Sequence, residues 1–325
     1  MSLSVHLLRP PPPDALAHLQ AKLHPEVEIT HGADIPAPGD CRILVAGRPS
    51  REQLRACAEL VALIIPWAGL PEVTRDLMRD FPQVAVHNLH HNAIAVAELA
   101  LALMLAAAKV IIPADRALRA HDWRLRYRRE PSLLLSGKTA LVLGYGAVGR
   151  QVARLCRGLG MKVIATRQNS GMGKDSFAEI HPPAALRSLL PRADLLFVCL
   201  PHTPETDKLI GAEELAALPP RAILVNVGRG PIVDEAALFH ALEDGTLFAA
   251  GLDVWYNYPS DEAARASTPP SAYPFHELAN VVMSPHRAGH SDETEFLRMT
   301  HLADLLNAAA EGRPMPNRVD LAAGY

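Results

Sequence analysis

Apolar positions along this chain fall into short continuous blocks separated by segments of helical period. Blocks at 4–8, 42–46, 62–65 and 84–86 read as short strands. Segment 72–80 repeats apolar residues at helical spacing. The first third of the chain therefore alternates strand and helix, which implies a parallel sheet of its own. The pattern restarts at Lys138, with strands expected at 139–143, 161–166, 194–200, 222–227, 248–253 and 280–283. Helices fall between them, 150–158 and 234–243 the clearest, and a last helix is expected over about 292–311. The proline-bearing stretch 263–274 reads as a loop. Segment 93–112 is nearly unbroken in apolar character and long enough to cross a bilayer. It carries Glu98 and Lys109, which are costly in lipid, so a buried helix is expected and no membrane partner.

A length of 325 residues suggests two domains, and 49% hydrophobic with 21% charged residues allows each a core. The net charge of −3 gives no general case for binding nucleic acid. A local basic arm at 116–129 interleaves Arg124, Arg126, Arg128 and Arg129 with Trp123 and Tyr127. It reads as an exposed connector or a subunit-contact arm. Cys41, Cys57, Cys156 and Cys199 are scattered without a CxxC pair. Buried free thiols and a cytoplasmic, reducing location are expected, and no signal peptide is evident at the N-terminus.

The chemistry begins at Gly144-Tyr145-Gly146-Ala147-Val148-Gly149, which follows an apolar block and opens a helical one. In that context the first glycine permits a tight turn, the second lets backbone approach a pyrophosphate, and the third lets helix and strand pack closely. A dinucleotide is the expected ligand. The next strand ends at Arg167, where an NAD site usually places an acid for the ribose 2′-hydroxyl. Arginine there would pair with a 2′-phosphate, which favours NADP over NAD. Arg229 closes another strand, suited to grip a carboxylate with two hydrogen bonds. A further strand end delivers Ser284-Pro285-His286, a histidine suited to exchange a proton near neutral pH. There are 15 histidines, with His87, His90, His91 and His290 near the expected cleft, but no HExxH spacing, and no metal is expected.

With these residues in view, the chain resembles the D-isomer-specific 2-hydroxyacid dehydrogenases, a family that includes phosphoglycerate, glyoxylate/hydroxypyruvate and formate dehydrogenases. The resemblance rests on six ordered motifs: 92–98, 144–149, 200–206, 226–230, 251–254 and 284–289. It implies an α/β fold of two doubly wound parallel-sheet domains, a flavodoxin-like substrate domain and a Rossmann nucleotide-binding domain. The substrate domain would be discontinuous, 1–108 and 291–325, with the nucleotide domain 109–290 inserted. The implied activity is hydride transfer between NAD(P)H and a small 2-oxo or D-2-hydroxy acid in a homodimer, within an interdomain cleft that closes to exclude water. Arg229 would bind substrate and polarise its carbonyl, and His286 would be the general acid/base. Trp67, Ala68 and Gly69 occupy the substrate loop, with Asn92 at the mouth of the cleft. Pro201, Thr206, Val227 and Asp253 match cofactor-contacting positions.

One departure stands out. The family commonly places Glu before the proline that follows the Asp-Val motif, where it partners the catalytic histidine. Here Tyr258 takes that place, before Pro259. Formate dehydrogenases carry a neutral Gln there, so a neutral partner is compatible with hydride transfer. A tyrosine hydroxyl can orient an imidazole but adds no negative charge at neutral pH. The pH profile for reduction is therefore expected to lie at more acidic values, unless Asp261 or Glu262 folds back. The alternative reading is a catalytically weak NAD(P)-sensing binding protein of the co-repressor type.

Overall fold

The computed structural model describes residues 2–35, 41–128, 132–168 and 173–322. Arg129 of the basic arm lies outside them. The chain forms two compact units, Met1–Asn92 with His290–Tyr325, and Ala93–Gly289.

The first unit contains β1 (Leu3–Leu7), α1 (Pro13–Gln20), β2 (Val27–His31), β3 (Ile43–Val45), α2 (Arg51–Ala56), β4 (Ala62–Ile65), α3 (Glu72–Met78) and β5 (Ala85–Asn88). The five strands are all parallel, in the order β2-β1-β3-β4-β5. This is the flavodoxin-like order, with its reversal of direction between β1 and β3. Apolar side chains cover both faces. Val5, Ile43, Val45, Ala62 and Ile64 pack with Leu302 and Leu306 on one, while Leu44, Leu63 and Ile65 pack with Leu54 and Met78 on the other. β2 escaped the sequence reading because Val27–His31 mixes polar and apolar residues at a partly exposed sheet edge.

The second unit contains α4 (Ala93–Ala108), α5 (Ile111–Arg119), α6 (Arg124–Tyr127), β6 (Thr139–Leu143), α7 (Ala147–Gly158), β7 (Lys162–Thr166), β8 (Gly173–Lys174), β9 (Glu179–His181), α8 (Leu186–Leu189), β10 (Leu195–Val198), α9 (Ala212–Ala216), β11 (Ile223–Asn226), α10 (Glu235–Glu243), β12 (Ala249–Leu252) and β13 (Val281–Met283); α11 (Thr294–Ala310) returns to the first unit. The sheet order is β13-β12-β11-β10-β6-β7-β9-β8, parallel except for the two-residue β8.

Two expectations change. Segment 93–112 is not one helix: α4 stops at Ala108, Val110 takes a left-handed φ of 54°, and α5 leaves at a bend of 65°. Among the described residues no single helix is long and apolar enough to cross a membrane. The unit boundary also falls at 92/93 rather than 108/109. The reason is packing: the small residues of α4 let it lie against α7, β11 and β12, where Ala97, Ala100 and Met104 are fully buried. Gly251 on β12 completes the fit, since a Cβ there would sit 2.7 Å from Leu103 Cβ.

Candidate active site

Strand register gathers the sequence-derived residues of the second unit at one edge. Parallel pairing sets Thr166 beside Leu143, Leu143 beside Val198, Val198 beside Asn226, Asn226 beside Leu252, and Leu252 beside Met283. The residues that follow these strand ends, Arg167, Gly144, Val227, Asp253 and Ser284, therefore leave the sheet at its carboxyl edge. That is where doubly wound sheets bind ligands.

The glycine turn meets the demands of a dinucleotide. Gly144 has φ of 90°, and its N–H and that of Tyr145 both donate to Thr166 O (3.2 and 2.9 Å). A Cβ on Gly149 would lie 2.0 Å from Gly144 O, whereas one on Gly146 would meet nothing within 4 Å. The third glycine is thus required by the protein's own packing, and the second leaves open space. Helix α7 starts at Ala147 and Val148 with Gly146 as its cap and no side-chain cap, so its first N–H groups are available to an anion. These features fit a bound pyrophosphate. Beside the turn, the buried Tyr145 hydroxyl donates to the Asp175 carboxylate (2.7 Å), and Arg150 lies 3.4 Å from it. Burial opposes ionisation of Asp175, but the Phe177 and Ala178 N–H groups and Tyr145 hold its pKa below the usual value. Arg167 is exposed, and its side chain makes no hydrogen bond or ion pair among the described residues. In the loop after β10, Thr206 donates to Pro201 O (2.8 Å) and accepts from Thr203 N–H (2.8 Å), closing a compact turn.

After β11, Asn226 shapes the backbone that carries Arg229. Its Oδ1 accepts from Gly228 N–H and its Nδ2 donates to Arg229 O, both 3.0 Å. The Arg229 side chain is exposed and uses Nη1 on Gly228 O (2.7 Å).

Asp253 holds the loop that bears His286. Only 1% exposed, it accepts from Ser284 Oγ (2.6 Å), Arg287 N–H and Ala288 N–H (both 3.0 Å). Trp255 Nε1 adds a bond to Ser284 O (2.8 Å). Held on both sides by these contacts, His286 is exposed in a left-handed conformation with φ of 53°. Tyr258 meets it ring against ring, centroids 5.4 Å apart at 61°, while its hydroxyl accepts from Trp255 N–H (3.1 Å). Burial raises the Tyr258 pKa, with Arg229 opposing and Asp253 reinforcing the rise. Asp261 accepts from Ser260 Oγ (3.1 Å) and Ala264 N–H (2.9 Å), and Glu262 pairs with Arg265 (3.0 Å). Both acids are committed to their own turn.

In the first unit, Trp67, Ala68 and Gly69 come after β4. The indole lies so close over Gly47 that a Cβ there would be 1.9 Å from it. Asn88 Nδ2 donates to Ala68 O (2.7 Å), fixing the loop. Asn92 Oδ1 and His91 Nδ1 are buried without a hydrogen-bond partner among the described residues. Sequence reasoning missed the supporting parts, Ser284 and Asn226, although both lie inside motifs it used. It also missed Asp175, which carries no motif and is found through its contact with Tyr145.

Residues 101–288 match the family model described as D-isomer specific 2-hydroxyacid dehydrogenase, NAD binding domain. The chain is 38% identical over 233 residues to a glyoxylate reductase of Aeropyrum pernix, covering 70% of this chain and 66% of that protein. It is 34% identical over 292 residues to a D-3-phosphoglycerate dehydrogenase of Mycobacterium bovis, covering 90% of this chain and 53% of that one. These matches span about half to two thirds of the curated relatives' own lengths. Among solved structures, a D-isomer specific 2-hydroxyacid dehydrogenase from Xanthobacter autotrophicus Py2, in complex with NADPH and MES, aligns over 100% of both chains with a TM-score of 0.81 and 26% identity. The glycine turn, the shared sheet edge and the family match together place this chain in the D-isomer specific 2-hydroxyacid dehydrogenase family.

Proposed function

We propose that the protein reduces 2-oxo acids to D-2-hydroxy acids, with NADPH preferred and NADH as the alternative. The observation that carries this reading is the Asp253 clamp. It presents His286 at the same sheet edge as Arg229 and the glycine turn. The bound nicotinamide supplies the hydride. Arg229 forms charge-assisted hydrogen bonds to the substrate and stabilises charge as it develops on the carbonyl oxygen. An imidazole N–H of His286 gives its proton to the oxygen on C2, so reduction requires protonated His286 and oxidation requires the neutral ring. Ala68 and Gly69 offer main-chain N–H groups to the substrate carboxylate, and Trp67 limits the size of the adjoining substrate group. Asn92 serves the same substrate. Pro201, Thr206, Val227 and Asp253 hold the cofactor, and Arg167 takes its 2′-phosphate. The exposed Arg167 and the NADPH bound by the Xanthobacter relative support that choice. We place the protein in the cytoplasm on the basis of its four free thiols, and read it as a homodimer.

The test is a matrix of NADPH and NADH against glyoxylate, hydroxypyruvate, pyruvate, phenylpyruvate and branched 2-oxo acids, followed at the nicotinamide absorbance. Turnover with NADPH favoured is expected, and Arg229→Gln or His286→Gln should lower kcat/KM by about 100-fold or more. Tight cofactor binding without oxidation across the panel would reject the enzyme in favour of a nucleotide sensor.

A further inference from the structure

The glycine turn is tied down from behind. Tyr145 is only 4% exposed and belongs to the same buried cluster as Ala165, Ala178 and Ile180, so its ring lies in the core of the second unit. Its hydroxyl reaches both oxygens of the Asp175 carboxylate at 2.7 Å. Asp175 opens the turn between β8 and β9. Its N–H donates to Ala178 O (3.1 Å), and its Oδ1 accepts from Phe177 N–H (2.7 Å) and Ala178 N–H (3.0 Å). Aspartate suits this place because its short side chain can close a turn on nearby backbone. Arg150 of α7 lies 3.4 Å from Asp175 Oδ2 and 5.6 Å over the Phe177 ring. One carboxylate thus joins the glycine turn, helix α7 and the β8–β9 hairpin.

The same hairpin holds the backbone of Arg167. β9 runs parallel to β7 with His181 beside Thr166, and Arg167 N–H donates to His181 O (3.0 Å). Thr166 O in turn accepts from Gly144 N–H and Tyr145 N–H. The contacts close a ring. It runs from the glycine turn to Thr166, across Arg167 to His181, along β9 to Asp175, and back through the Tyr145 hydroxyl. Its side-chain link is Tyr145 to Asp175, a buried hydroxyl on a carboxylate, which is a strong and directional contact. A bare carboxylate near the start of α7 would repel a pyrophosphate, but Arg150 offsets the charge of this one.

We propose that Tyr145 and Asp175 are a positioning pair for cofactor choice. They set the spacing between the pyrophosphate cradle at Gly144–Gly149 and the guanidinium of Arg167, and so fix how strongly a 2′-phosphorylated dinucleotide is preferred over the unphosphorylated one. Their role rests on the reading in which Arg167 takes the 2′-phosphate. The pair acts through the backbone of Arg167, whose exposed side chain takes its direction from that backbone. NADH needs the cradle but not the guanidinium, so loosening the ring costs it less than it costs NADPH.

The test is the pair of dissociation constants for NADPH and NADH, measured by nicotinamide fluorescence titration of the full chain. It compares the parent, Tyr145→Phe, Asp175→Asn, Arg167→Gln and the double variant Tyr145→Phe with Arg167→Gln. Tyr145→Phe removes one oxygen and keeps the buried ring. Asp175→Asn keeps an oxygen for the turn and loses the charge. Tyr145→Phe should weaken NADPH about tenfold and NADH less than about threefold, with Asp175→Asn giving a selective loss of about threefold or more. In the Arg167→Gln background the Tyr145→Phe step should weaken both cofactors equally, because the group it positions is gone. Should Tyr145→Phe not fold, Asp175→Asn decides on the same ratio. Equal weakening of the two cofactors in the parent background overturns the pair, as does a selective loss that persists without Arg167. A lower unfolding temperature with an unchanged ratio also overturns it, since that is what a purely structural brace would give. If Arg167→Gln lowers the preference for NADPH and neither Tyr145→Phe nor Asp175→Asn does, the pair fails and the phosphate-site reading stands. If Arg167→Gln leaves the preference unchanged, that reading fails and takes the pair with it.

Discussion

Tyr258 stands where the resemblance leads one to expect Glu, and the structure gives the position a geometry. The side chain packs against His286 ring to ring, and its hydroxyl oxygen accepts from Trp255 N–H. It braces the imidazole sterically and contributes no carboxylate. Asp261 and Glu262 are held in local contacts. A carboxylate beside an imidazolium favours the charged ring, by about a pH unit or more. Tyr258→Glu should therefore shift the alkaline fall of kcat/KM for reduction upward by about one unit, because protonated His286 would persist to higher pH. An unshifted profile would show that charge at this position does not govern His286. Arg167 gives a second prediction at the same scale. Its exposed guanidinium has no internal partner among the described residues, so replacing it disturbs little of the fold. Arg167→Asp should cost about 10- to 100-fold in kcat/KM with NADPH and leave NADH equal or improved. Parallel losses with both cofactors would remove Arg167 from the phosphate site.

Among the elements, the turn between β6 and α7 is the least tolerant. A Cβ at Gly149 would overlap the Gly144 carbonyl oxygen at 2.0 Å, and backbone cannot move aside as a flexible side chain can. Gly149→Ala should lower stability by about 2 kcal/mol or more and weaken NADPH binding at least tenfold, read by thermal unfolding and fluorescence titration. Gly146→Ala meets open space, so it should leave stability nearly unchanged while weakening the cofactor. Equal effects in the two variants would contradict the division of roles between the glycines. This is also the scale at which legibility in the sequence changes. The strand-end positions of Gly144, Arg229 and His286 could be read because each follows an apolar block that marks a strand, whereas Asp253 came only through the resemblance to the family. The break after Ala108 could not be read, because the apolar run continues through Val110 while its backbone turns left-handed. The Tyr145–Asp175 contact likewise closes across a sequence separation that a local pattern does not span.

At the scale of the whole molecule, the surface along α5 and α6 stands apart. No residue of either helix is buried. Leu118, Trp123 and Tyr127 are 50%, 60% and 80% exposed, and Ile111 and Leu134 add to the same stretch of chain. An isolated exposed apolar side chain is ordinary, but a concentration of large ones on consecutive segments marks an interaction surface. The charges among them are largely satisfied within the arm: Arg119 pairs with Asp115, Arg124 with Asp122, and Arg126 sits 5.9 Å over the Tyr127 ring. An arm of aromatic residues and arginines has the composition of an interface core, where both are enriched. A second copy of the same chain is the partner that the homodimer reading requires, and this surface would be its own complement across a two-fold axis. Sedimentation equilibrium at micromolar concentration should then give twice the chain mass, and the unfolding temperature should rise with protein concentration. Trp123→Asp combined with Tyr127→Asp should weaken association at least tenfold, since Trp and Tyr are enriched among the few interface residues whose loss costs about 2 kcal/mol or more. Because both side chains are exposed within the chain, the variant should keep the secondary structure of the parent. A parent that sediments as a monomer would reject the homodimer, and an unchanged dimer in the double variant would move its interface away from α5 and α6.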